Sequence, residues 1–157
     1  MTNNLTLSSA AFAHEASIPS EYTCDGKGTS PPLSISGVPE GTKSLALIAD
    51  DPDVPKQLKP DGVFDHWVLF NIPPTTVEIP AGGSAGTAGA NGAGNYAYTG
   101  PCPPPQYEPS EHRYFFTLYA LDAELPLAEG ASKQEVLAAM AGHMIQETQL
   151  MGKYKRQ

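Results

Sequence analysis

Apolar positions along the chain fall into short runs separated by turn formers, and most runs repeat every second residue. Residues 63–72 (Val-Phe-Asp-His-Trp-Val-Leu-Phe-Asn-Ile) are the most strand-like. Strict alternation puts His66, Val68, Phe70 and Ile72 on one face and Asp65, Trp67, Leu69 and Asn71 on the other. Residues 44–49 and 113–121 are continuous apolar and aromatic runs, the pattern of buried strands. Shorter candidate strands at 5–12 and 33–35 lie between turns at 24–28, 30–32 and 37–41. One segment reads differently. Ser132 and Glu135 make a Ser-x-x-Glu capping box, and Val136, Leu137, Met140, Met144 and Ile145 keep helical spacing. This predicts a helix that starts at Ser132, ends at Gly152 and buries its methionines.

Two connections stand out. Residues 81–95 are rich in Gly and Ala and read as a mobile loop; no Gly-Lys-Ser/Thr follows, which argues against a nucleotide triphosphatase. Residues 100–114 (Gly-Pro-Cys-Pro-Pro-Pro-Gln-Tyr-Glu-Pro-Ser-Glu-His-Arg-Tyr) are dominated by proline, which fixes its own φ and keeps its predecessor extended. That stiff segment delivers His112 to the mouth of the strand at 113–121, and a stiff loop loses little entropy when a ligand binds.

The totals narrow the class. A chain of 157 residues, 40% hydrophobic with 15 Gly and 16 Pro, suits one β-rich domain over 1–157. A formal charge of −8 argues against a nucleic-acid surface and means that any anion must be held by local donors. Cys24 and Cys102 are too few for a disulfide scaffold and could be free or bridged. Residues 1–7 show no basic region followed by an apolar core, and the longest apolar run, 45–49, is too short to span a bilayer, so a cytoplasmic protein is expected.

Candidate chemistry sits at strand ends. Asp50-Asp51-Pro52-Asp53-Val54-Pro55 places three carboxylates between a strand and two prolines, either as a solvated turn or as the polar wall of a binding site. His66 shares a face with apolar residues, and a lone histidine so placed is more often a satisfied core residue than a ligand-binding one.

Taken in series, Tyr22-Thr23-Cys24-Asp25-Gly26, Ser30-Pro31-Pro32-Leu33, Asp51-Pro52-Asp53-Val54-Pro55, residues 65–73, Gly100-Pro101 and His112-Arg113-Tyr114 resemble the phosphatidylethanolamine-binding protein family. The likeness is to its bacterial and archaeal branch, the Raf kinase inhibitor-like (YbhB/YbcL) type. The resemblance implies a mostly β fold, with a large central antiparallel sheet packed on a smaller sheet and a C-terminal α-helix. It also implies a metal-free, cofactor-free pocket for a small anion or a phospholipid head group. Asp51, His66, Gly100, Pro101, His112 and Tyr114 would line that pocket. Asp53 would organise its own turn, Phe64 would stand where other members carry an aromatic, and Cys102 would occupy the rim in place of a proline. The two imidazoles, backbone amides and the tyrosine hydroxyl would donate to phosphate oxygens, with anion affinity rising as pH falls through about 6.5. A kinase or protease partner and a homodimer are implied on the same basis. The competing reading is a hydrolase using His112 or His66 with Asp51, for which Cys102 is the nearest candidate nucleophile.

Overall fold

A computed structural model describes residues 4–157; the reading of residues 1–7 therefore lies partly outside the described residues. The order of elements is β1 (Thr6–Ser8), a 3-10 turn (Ser20–Tyr22), β2 (Leu33–Ser36), β3 (Ser44–Asp51), β4 (Phe64–Ile72), β5 (Glu78–Ile79), β6 (Thr87–Ala88), β7 (Glu111–Leu121), α1 (Lys133–Met140) and β8 (Met144–Lys155). They build two antiparallel sheets, a three-stranded one in the order β1-β2-β5 and a five-stranded one in the order β6-β4-β3-β7-β8. No helix among the described residues is long and apolar enough to cross a membrane.

The runs at 44–49 and 113–121 are apolar throughout because the five-stranded sheet is covered on both faces. Leu45, Leu47 and Ala49 of β3 face the smaller sheet, in one cluster with Leu33, Ile35, Phe116 and Leu118. Ala46 and Ile48 turn the other way and pack with Phe70, Val136 and Met140 beneath α1. The first strand is shorter than expected: only Thr6–Ser8 pairs, and Phe12 reaches the core from a loop.

The helix is less than half its expected length, running only from Lys133 to Met140. Ser132 accepts from the Glu135 amide and the reciprocal bond is present, so the capping box is real. Gly142 then takes a φ of +83°, in the left-handed region that favours glycine, and the chain leaves the helix. It enters β8, in which every residue of β7 from Glu111 to Leu121 finds a partner. Met144 and Ile145, expected in the core, are exposed, whereas Leu150, Gly152 and Tyr154 are buried at a period of two.

The Gly/Ala segment at 81–95, expected as a mobile loop, is tied down. Thr87 and Ala88 pair with Phe70 and Leu69, the Gly89 and Gly92 amides donate to the Val68 and Asp65 carbonyls, and buried Asn91 donates to the Ala97 carbonyl and the Thr99 hydroxyl. These bonds fix the approach to the proline-rich segment.

Candidate functional site

Antiparallel pairing brings the end of β3 and the beginnings of β4 and β7 to the same edge of the large sheet, and there a cavity of about 250 Å³ opens. Asp51, Phe64, His66 and His112 form its inner wall, and Val54, Thr99, Gly100, Cys102, Pro103 and Pro104 its rim. Cavities that take drug-sized ligands run from about 300 to 1,000 Å³, so this one suits a single head group.

A β-bulge aims His66 into the cavity. Ala49 pairs with Trp67, but the next residue, Asp50, pairs with Asp65, so one extra residue is accommodated in β4 at His66. The expected alternation therefore breaks. Trp67 and Leu69 face the smaller sheet while Val68 and Phe70 face α1, yet His66 no longer shares their face and lies 5.2 Å, ring to ring, from Tyr114 in the inter-sheet layer. A second irregularity, with Asn71 at φ +52°, returns Ile72 to the inter-sheet face, opposite to the side that strict alternation assigns it.

Hydrogen bonds hold both imidazoles by Nδ1. The His66 Nδ1–H donates to the Thr99 carbonyl at 2.6 Å, and the His112 Nδ1–H donates to Asp51 Oδ2 at 2.6 Å. His112 and Asp51 are 1% and 3% exposed, and His112 Nε2 is buried with no hydrogen-bond partner among the described residues. Burial pushes the His66 imidazole down to about 4, outweighing the Thr99 carbonyl, so it is neutral at pH 6.5. Protonation of His66 therefore falls well below pH 6.5 and is not a source of anion affinity there. Burial also raises the Asp51 carboxyl, against the lowering by His112.

The remaining expected residues have other tasks. Asp51 Oδ1, rather than Asp53, organises the turn, by accepting from the Asp53 amide. Asp53 reaches across to β7, accepting from the Arg113 amide at 2.8 Å and from Nε and Nη2 at 2.9 and 2.8 Å. Those bonds hold its carboxyl below the usual range. Tyr114 and Pro101 stand behind the wall and do not line the cavity. The Tyr114 hydroxyl is buried without a well-formed bond among the described residues, and burial raises its pKa. Pro101 is buried and accepts at its carbonyl from the Cys24 amide.

The two cysteines are bridged. Cys24 and Cys102, 78 residues apart in sequence, form a disulfide with their Cα atoms 5.4 Å apart, so the rim is bonded to the turn after Tyr22. Gly100 belongs there because a side chain would press on the Tyr22 carbonyl at 2.8 Å. Of residues 100–104 only Gly100 and Cys102 carry an N–H, and neither is hydrogen-bonded among the described residues. Val54, Thr99, Pro103 and Pro104 were not singled out from sequence. The prolines sat in a segment already read as stiff, but nothing local marked Thr99 as the histidine's acceptor. Among the described residues no three His, Cys, Asp or Glu side chains gather as metal ligands.

Residues 8–155 match the family model for phosphatidylethanolamine-binding protein. A UPF0098 protein of Methanothermobacter thermautotrophicus is 48% identical over 159 residues, covering 97% of this chain and 99% of that one. One from Chlamydia pneumoniae is 44% identical over 153 residues, covering 97% and 99%. Among solved structures, CT736 of Chlamydia trachomatis, named for its homology to phosphatidylethanolamine-binding protein, superposes with a TM-score of 0.93 at 43% identity over 99% of both chains. YbcL of Escherichia coli, described as a member of the mammalian family, gives 0.85 at 27% identity, over 98% of this chain and 99% of that one.

Proposed function

Since the chain belongs to the phosphatidylethanolamine-binding protein family, we propose that its cavity binds one small phosphorylated or otherwise anionic group without transforming it. The observation that carries this reading is the buried Nε2 of His112, a wall residue, which has no hydrogen-bond partner among the described residues. Buried polar atoms are nearly always paired, so an unpaired one on a residue that lines a cavity of head-group size marks a place for a ligand. The unbonded amides of Gly100 and Cys102 supply rim donors that an oxyanion needs in a protein of net charge −8.

Binding is favoured over hydrolysis by the same geometry. Asp51 orients His112 as it would a general base, but no hydroxyl or thiol among the described residues is bonded to Nε2. The sulfur of Cys102 is committed to Cys24, and the Thr99 hydroxyl accepts from Asn91 at 2.8 Å.

Titration of inorganic phosphate into the labelled protein, followed by imidazole NMR signals, tests the reading. Saturable shifts at His66 and His112, absent at His14 and His143, are expected. Silent pocket histidines at millimolar phosphate reject it.

A further inference from the structure

On the reading of the cavity as an oxyanion site, we propose that it selects its ligand by protons. A phosphate or phosphomonoester is held in the form that still carries a P–OH, which donates to an imidazole Nε2, and oxyanions without a proton are rejected.

The donor inventory of the wall leads there. A carbonyl oxygen can only accept, so the 2.6 Å bond from His66 to Thr99 O places the ring proton on Nδ1. The carboxylate of Asp51 likewise takes the Nδ1–H of His112. A neutral imidazole has one N–H, and His66, kept neutral by burial, has spent it on the Thr99 carbonyl at the rim. The Nε2 of His66 is therefore a lone pair, and Asp51 in the same wall adds a carboxylate.

Other charged and titratable groups do not change this balance. Tyr114 of β7 meets the His66 ring edge-on and stacks against the His112 ring. Asp53 and Arg113 pair with each other. On the opposite face, Lys133 of α1 is engaged by Asp50 and Asp65 and is not among the lining residues. A fully deprotonated oxyanion would set acceptor against acceptor at this wall. A P–OH relieves this, giving the His66 Nε2 a donor and lowering the ligand's charge beside Asp51. Moving the proton to His66 would create an imidazolium where burial holds the pKa at about 4.

Three probes separate the sources of a phosphoryl group. Methyl phosphate is a monoester with a P–OH whose second pKa is about 6. Dimethyl phosphate is a diester monoanion with none and stands for a lipid phosphodiester; sulfate is a dianion with none. Calorimetric titration at about pH 5.5 is expected to show methyl phosphate binding roughly tenfold or more tightly than either of the others. Its affinity should fall about twentyfold by pH 7.5 as the P–OH is lost, while that of dimethyl phosphate, which reports any titration of the protein itself, changes little. Long-range nitrogen–proton spectra should show both pocket histidines as Nδ1–H tautomers whose Nε2 signals move with methyl phosphate.

Dimethyl phosphate or sulfate binding as tightly as methyl phosphate overturns proton selection and leaves the anion site standing. So does a pocket histidine carrying its proton on Nε2. Failure of all three probes to bind overturns the anion site and proton selection together.

Discussion

Asp50 and Asp51 are neighbours at the end of β3, and alternation sends their side chains to opposite faces of the same sheet. On the α1 face, Asp50 and Asp65 converge on Lys133, with Nζ 3.2 and 2.7 Å from their oxygens. On the cavity face, Asp51 accepts from the Nδ1–H of His112, whose Nε2 has no partner among the described residues. Both clusters are largely buried and both contain carboxylates. A lysine carries three donors, and here two carboxylates engage it, so that cluster has little left to offer a ligand. An imidazole held by one nitrogen presents the other. The sheet thus carries a saturated, structural cluster and an unsaturated, receptive one a single residue apart.

Four experiments test this contrast, in decreasing order of expected effect. The receptive side is bonded covalently at its rim, where the bridge closes a loop of 78 residues. Replacing both cysteines (Cys24→Ser with Cys102→Ser) should cost about 4 kcal/mol in urea unfolding on the chain-entropy model, and weaken phosphate binding. An unchanged midpoint would show that the rim holds without its tether.

Second, His66 ties the receptive side to pH. Its folded pKa, about 4, lies below the unfolded value of 6.5, so between these values the unfolded chain binds the extra proton. Stability is then full above about pH 6.5, declines as pH falls and levels off below about 4, a loss of ~3 kcal/mol. From pH 6.5 down to about 4 the unfolding free energy of the parent should fall by ~3 kcal/mol more than that of His66→Gln, and parallel curves would refute it.

Third, Lys133→Met removes the cation from the saturated side and leaves two half-buried carboxylates without it. A loss of about 2 kcal/mol is expected, with phosphate affinity unchanged within about twofold. A large drop in affinity would mean that the two faces are coupled. The smallest effect belongs to the half-exposed Arg113, whose clamp on Asp53 positions the Asp51 turn. Arg113→Ala should cost about 0.5–1 kcal/mol and weaken phosphate binding by a few-fold, read by titration.

Much of the plan was legible from pattern. The apolar runs at 44–49, 63–72 and 113–121 became the three central strands, and the capping box at Ser132 marked a real helix start. Asp51, His66, Gly100 and His112, chosen by motif, do converge on one cavity. The segment 144–155 was misread because Val136, Met140 and Met144 fit a helical period, while the alternation of Leu150, Gly152 and Tyr154 needs a partner strand to count. That partner, β7, lies more than twenty residues upstream. Phe64 met its expected place, whereas Pro101 and Tyr114 moved one layer back, a distinction of a few ångströms that no spacing encodes.

The order of hydrophobic and polar residues by itself determined that 44–49, 63–72 and 113–121 are strands, where the helix begins and which side chains carry chemistry. These are local consequences of side-chain period, proline stiffness and capping. Only the tertiary structure decided the bulge that turns His66 to the cavity, the bridging of Cys24 to Cys102 and the bond that places each imidazole proton on Nδ1. Each of these depends on contacts between groups distant in the chain, whose geometry is set by the register of paired strands and the packing of two sheets.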